Sequence, residues 1–254
     1  AGLIAAETAV DKGLSVAIFD AKPTYGRKFL MAGKSGLNIT KNENKNKFLN
    51  NYFESEKWLT PIINAFDNEA VMKWAQDLGE EVFIGSSGRV FPKSMKASPL
   101  LRSWLKRLTN KGVNFYTNCK WIGWSDGLAV FDTNEGEKYI KSKTTILAMG
   151  GASWSKLGSD GKWINILTKH GIETTAFKPS NMGFNILWSR HMKPFFGKPI
   201  KSVRISSGHS SSINEFVISQ KGLEGSGIYA VSKFMRDGNE LIIDLLPNTK
   251  IETL

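Results

Sequence analysis

Asp20 follows Leu14-Ser15-Val16-Ala17-Ile18-Phe19, a short β-rich run. A carboxylate at the end of such a strand can accept both hydrogen bonds of a ribose diol, which favours an unphosphorylated ribose. Gly2 lies 18 positions earlier, at the mouth of a helical pattern that runs through Val10 and closes at Lys12-Gly13. A glycine there and an acid at the next strand end form the second half of a dinucleotide-binding βαβ unit, with Gly2 as the third glycine of G-x-G-x-x-G. On this reading the chain opens inside its first turn, with the first strand and two glycines before residue 1. It stops at Ile251-Glu252-Thr253-Leu254 as another helix begins.

The second chemical stretch comes straight after Asp20. Residues 26–40 hold Gly26, Gly33 and Gly36, the cations Arg27, Lys28 and Lys34, and the small polar groups Ser35, Asn38 and Thr40. Read as a loop, its glycines let backbone N–H groups approach a phosphate, and its cations neutralise the charge. Gly33-Lys34-Ser35 imitates the end of a P-loop, but that motif needs glycine at position 28, where Lys28 stands. A solvated basic loop would carry a balance of acids that this stretch lacks.

A third block supplies another wall. Lys143 to Ala148 reads as a buried parallel strand, and Gly150-Gly151 would let the chain turn under a bulky ligand. Asp160-Gly161 then opens a helix over 162–170 that ends at Gly171. Strand, glycine turn and helix N-terminus make a corner suited to a pyrophosphate. Trp154, directly after the turn, is the one tryptophan of eight read as facing a ligand; the others read as core. Gly225-Ser226-Gly227-Ile228-Tyr229-Ala230 also fits G-x-G-x-x-A, with Asp244 following. The β-rich run Glu215 to Ser219 ends too early for a fingerprint, so a separate NAD(P) domain is not expected.

Taken in order, these blocks resemble the BaiN/YhiN-type NAD(P)/FAD-dependent oxidoreductases. The resemblance rests on Asp20, Gly26-Arg27-Lys28 and Gly33-Lys34-Ser35-Gly36-x-Asn38-Ile39-Thr40. It continues through Gly88-Arg89-Val90-Phe91-Pro92 with Lys96-Ala97, and Ile146-Leu147-Ala148-Met149-Gly150-Gly151 with Gly158-Ser159-Asp160-Gly161. Pro179-x-Asn181-x-Gly183-Phe184 and Gly222-Leu223-Glu224-Gly225-Ser226-Gly227 complete it. Met149 stands where the family carries threonine. The resemblance implies FAD as cofactor, reduced NAD(P)H as transient hydride donor, and a small-molecule substrate. It makes the cofactor-binding candidates Gly2, Asp20, Ala21, Gly26, Arg27, Lys28, Ala32, Gly33, Lys34, Ser35, Gly36, Asn38, Ala148, Gly150, Gly151, Trp154 and Asp160. Arg89, beside Phe91, is the candidate for a group facing the flavin; no acid or base is named.

Composition bounds these expectations. Of 254 residues, 34 are Lys or Arg and 23 Asp or Glu, a formal charge of +11. The cations are scattered, and Arg102, Lys106, Arg107 and Lys111 read as a solvated helix face. Nucleic-acid binding is therefore not expected from charge alone, although an RNA-modifying flavoprotein and a non-catalytic nucleotide-binding fragment stand as alternatives. The single cysteine, Cys119, excludes a disulfide or CxxC pair within this chain and reads as a buried structural thiol. His170, His191 and His209 show no metal spacing. The opening lacks a secretory pattern, no run suits a membrane span, and a cytoplasmic protein is expected.

The elements that must position these residues predict an α/β fold: a Rossmann-like FAD-binding domain lacking its first strand, with an inserted, mainly β domain. Helices are expected over 48–78 and Pro99 to Asn110, a strand over Val113 to Thr117, and a β-meander over Trp121 to Ile140. Short strands follow Pro179, at Ser202 to Ser206, Glu215 to Ser219 and Leu241 to Leu245; the serine-rich 206–212 reads as a flexible loop. The boundary is set at 1–177 and 178–254.

Overall fold

In the computed structural model, which describes residues 1–33 and 36–249, the chain forms two compact units, Ala1–Thr174 and Thr175–Leu254. The first begins with helix α1 (Gly2–Val10), strand β1 (Ala17–Phe19), helix α2 (Arg27–Ala32) and strand β2 (Thr40–Lys41). Helices α3 (Lys45–Asn50), α4 (Glu56–Ala65) and α5 (Asn68–Asp77) follow, then strands β3 (Val82–Ile84) and β4 (Arg89–Pro92) and helix α6 (Ala97–Asn110). Strands β5 (Asn114–Tyr116), β6 (Cys119–Ser125), β7 (Leu128–Thr133) and β8 (Gly136–Ile140) lead to helix α7 (Trp163–Lys169).

A parallel pairing forms between β1 and β5, with Ile18 opposite Phe115. Long crossovers are what parallel neighbours require, and this one carries α2 to α6 and the three-stranded antiparallel sheet β2-β4-β3. Strands β6, β7 and β8 make the expected meander. Helix α6 explains much of the core: Leu100, Leu101, Trp104 and Leu108 share one face at helical spacing and pack with Ala6, Ala75, Leu78 and Val113. A second cluster joins Trp121, Ala129, Phe131 and Leu167, with Phe19 of β1 stacked on Phe131 at 4.3 Å.

The second unit holds β9 (Phe184–Asn185), β10 (Pro199–Ser207), β11 (Ser210–Ser219), β12 (Gly222–Glu224), helix α8 (Ser226–Arg236) and β13 (Ile242–Asp244). They form a five-stranded antiparallel sheet in the order β13-β10-β11-β12-β9. Gly227 allows α8 to lie against this sheet: a Cβ there would stand 2.3 Å from Ile205 Cδ1.

Four expectations change. The glycine- and cation-rich stretch after Asp20 is not one loop, because Arg27 to Ala32 wind into α2 behind Gly26, whose φ of 66° starts the turn. The expected buried strand from Lys143 to Ala148 does not form: none of the described strands pairs with it, and all six residues are exposed, Ile146 to 65%. The serine-rich 206–212 is a hairpin, since Gly208 at φ 56° turns β10 tightly into β11 and Ser206 bonds Ser211 at 2.9 Å. Of the cations expected on a solvated helix face, Arg102, Lys106 and Lys111 are exposed, but Arg107 is half-buried and pairs with the buried Glu7 of α1.

Candidate functional site

The turn after β1, the start of α1 and the 148–158 glycine turn meet at the carboxyl end of the parallel pair, where open α/β sheets bind ligands. Asp20 is the first residue past β1. Its N–H donates to Tyr116 C=O at 2.9 Å and its C=O accepts from Cys119 N–H at 3.0 Å, so the backbone is held by the turn after β5. The half-buried carboxylate accepts Lys22 N–H on Oδ1 at 2.8 Å; Oδ2 takes no hydrogen bond among the described residues. Burial pushes the Asp20 carboxyl above its ordinary range, against the Lys22 N–H and the charges of Arg27 and Lys22. Desolvation and the nearby Asp20 and Cys119 push the Tyr25 phenol up to about 12.

The glycine turn lies beside the start of α1. A Cβ on Gly2 would come 3.4 Å from Ala148 Cβ, ordinary contact, which places these two candidates together. Gly150 has φ 71°, and a Cβ there would stand 2.8 Å from Ser159 Oγ, while its carbonyl accepts Trp163 Nε1–H at 3.0 Å. Gly151 faces open space. Trp154 and Ser159 exchange backbone hydrogen bonds at 3.1 and 3.2 Å, forming the bridge that turns the chain into α7. Gly158 closes the circuit, since a Cβ there would lie 3.5 Å from Lys22 Cγ and Cε. Trp154 is 49% exposed, and Asp160 uses Oδ1 to accept Lys162 N–H at 3.1 Å.

The structure thus gathers Gly2, Asp20, Ala148, Gly150 and Gly158 at one corner, with Arg27 close enough to act on the Asp20 charge. The corner is open to solvent: Ala21, Lys28, Ala148 and Trp154 are exposed. The remaining glycines have a packing reason. A Cβ on Gly26 would meet Leu101 at 2.8 Å, and one on Gly33 would meet Ala97 Cβ at 2.5 Å, so both let α2 lie against α6. Gly36, at φ 123°, sits under Met95 Cε. Lys34 and Ser35 lie outside the described residues, as does the helix expected from Ile251. Ala32 ends α2 exposed, and Asn38 is an exposed residue before β2. Arg89 is exposed on β4 opposite Lys41, two residues before Phe91, which stacks on Phe83 at 5.8 Å.

Sequence reasoning missed Lys22, whose adjacency to Asp20 was the only signal. Cys119 is half-buried rather than buried, with Sγ–H donating to Thr117 C=O at 3.2 Å. The second glycine fingerprint fails on a different ground from its spacing. Strand β12 ends directly before Gly225, but β12 and β13 belong to an antiparallel sheet and run in opposite directions, so no βαβ unit exists there.

A residue set able to hold an adenine dinucleotide needs a strand-end acceptor, cations, and backbone bare of side chains. The half-buried Asp20 with Oδ2 spare, Arg27, and the open face of Gly151 meet that need. Among the described residues no helix is long and apolar enough to cross a membrane.

Among solved structures the chain is similar to THI4 of Thermovibrio ammonificans, at 16% identity and TM-score 0.39 over 78% of this chain and 68% of that one. It is also similar to L-amino acid deaminase from Proteus vulgaris, at 18% identity and TM-score 0.32, covering 62% and 46% of the two chains. The corresponding figures for the Proteus myxofaciens L-amino acid deaminase are 15%, 0.32, 96% and 56%. The family model described as HI0933-like protein Rossmann domain matches residues 1–229. The chain therefore belongs to the HI0933-like family, the BaiN/YhiN-type FAD-dependent oxidoreductases.

Proposed function

We propose that this chain binds FAD at the Asp20 corner and serves a cytoplasmic oxidoreductase that takes hydride from NAD(P)H and passes it to a small-molecule substrate. The observation that carries the reading is the meeting of Asp20, the Gly2–Ala148 contact and the Gly150–Gly158 turn past the parallel strands. Asp20 Oδ2 accepts from an adenosine ribose hydroxyl. Arg27 and Lys28, in the first turn of α2, offset phosphate charge. The N-terminal amides of α1 add their partial positive charge, and Gly151 lets backbone approach without a side chain between. When bound, FAD supplies the two-electron chemistry that these side chains do not. Arg89 is the residue proposed to face the isoalloxazine.

Titration of the protein with FAD, followed by absorbance, tests this. Retention of a yellow complex whose flavin band bleaches with NADH or NADPH supports the reading. A colourless protein after gel filtration overturns it.

A second reading, an RNA-modifying flavoprotein, is favoured by one observation. Residues 174–214 contain no acid, and Arg190, Lys193, Lys198, Lys201 and Arg204 are all exposed there, none ion-paired among the described residues. Lys198 Nζ lies 5.6 Å from the centre of the exposed Phe195 ring. Affinity for structured RNA that falls steeply with salt would favour this reading over the small-molecule one.

A further inference from the structure

Lys22 makes three different contacts within the candidate corner. Its N–H donates to Asp20 Oδ1 at 2.8 Å, fixing the carboxylate in a side-chain turn. Its C=O accepts from Asn118 N–H at 3.2 Å, and Asn118 takes φ 52°, a conformation asparagine tolerates better than most residues. Its aliphatic stem lies over Gly158, where Cγ and Cε would both stand 3.5 Å from a Cβ. Gly158 has φ 100°, which L side chains rarely adopt, and its bare Cα is the surface the stem covers. The stem lies at Gly158 although a surface lysine loses rotamer freedom by being held there.

We infer that Lys22 is a positioning residue for the adenosine end of the dinucleotide, joining the Asp20 carboxylate to the Gly150–Gly158 block through its methylene stem. This rests on the FAD reading of the corner and adds to it a residue that need not touch the ligand. The main-chain bonds survive substitution, so the side chain contributes through apolar packing on Gly158. Loss of the stem removes the apolar contact between Lys22 and Gly158, so the glycine turn shifts relative to the Asp20 acceptor, which its main-chain bonds keep in place. A phosphate-binding lysine would depend on its charge instead, so the two roles separate by chemistry.

Lys22→Met keeps the stem and removes the charge; Lys22→Ala removes both. FAD affinity, read by quenching of flavin fluorescence, is expected to stay within about threefold of wild type in K22M and to weaken roughly tenfold in K22A. In an Asp20→Asn background K22A is expected to add little further loss, because the stem acts through that carboxylate. Thermal denaturation of each variant checks that the fold is kept. Equal affinity in K22A and wild type overturns the inference, as does K22M weakening as much as K22A. A full additive loss in the D20N background overturns it too. Wild type that takes up no FAD overturns the site reading itself, an outcome distinct from these three.

Discussion

Glu7 and Arg107 form an ion pair inside the first unit, with Arg107 Nη1 donating to Glu7 Oε1 at 2.9 Å although 100 residues separate them. Glu7 is 6% exposed, and its other oxygen accepts Trp104 Nε1–H at 2.7 Å and Trp74 Nε1–H at 3.2 Å. One carboxylate thus satisfies three donors and ties α1 to α5 and α6. Breaking a buried pair by removing one partner leaves the other uncompensated. Glu7→Ala is therefore expected to cost about 3 kcal/mol in urea denaturation, with Glu7→Gln costing less. Asp11→Asn, which breaks the exposed neighbouring pair with Lys111, is expected to cost under about 1 kcal/mol.

Asp20 should make the protein less stable as pH rises. Its folded carboxyl holds its proton to higher pH than an unfolded one, because burial is the largest influence on it. In the window between its ordinary and raised values the folded state binds more protons, so stability declines with increasing pH there and levels off above it. Asp20→Asn is expected to raise the melting temperature at pH 7, with the gain disappearing in acid below the ordinary carboxylate range. The same change should weaken FAD binding, setting stability against function at one atom pair. Melting curves of the two proteins across pH 3 to 8 check this; a destabilised D20N at pH 7 contradicts it.

How much of this could be seen in the sequence depends on the range of the interactions. Helix α6 was legible because Leu100, Leu101, Trp104 and Leu108 repeat at helical spacing, and β1 and β5 because both are short β-rich runs beside turn signals. Helix α2 was hidden, since Gly26 and Gly33 read as loop residues when they are in fact the contact points on α6. Strand β12, three residues long, opening on Gly222 and followed by Gly225, is too short for periodicity. Residues 143–148 have strand composition, but a strand also needs a hydrogen-bonding neighbour, which composition does not report. Glu7 carried no local signal, as its three donors come from two distant helices. The Asp20 carboxylate was legible by its position, whereas Lys22 depends on Gly158, more than a hundred residues on.

Met95 occupies the left-handed region at φ 56°, which costs an ordinary residue roughly 1 kcal/mol. It is 40% exposed, its N–H donates to Pro92 C=O at 2.9 Å, and its C=O accepts Leu37 N–H at 3.3 Å. Those bonds hold the backbone regardless of side chain. Met95→Asn or Met95→Gly is therefore expected to relieve strain and raise the melting temperature by a few degrees. A lower melting temperature in both would show that the Met95 side chain over Gly36 outweighs the backbone strain.

Gly33 and Gly151 separate packing from ligand approach. A Cβ on Gly33 would stand 2.5 Å from Ala97 Cβ and 3.0 Å from its backbone N, with no room to give without moving α2 off α6. Gly33→Ala is expected to destabilise by about 1 to 3 kcal/mol, the range for overpacking. Gly151 meets nothing within 4 Å, and its φ is not in the left-handed region, so Gly151→Ala should change stability by less than about 0.5 kcal/mol. If the chain turns beneath a dinucleotide at that point, the added methyl group intrudes on the ligand and FAD affinity falls while the melting temperature holds. Parallel denaturation and fluorescence titrations of both variants read the two effects apart. Unchanged FAD affinity in G151A would place the ligand on another face of the corner.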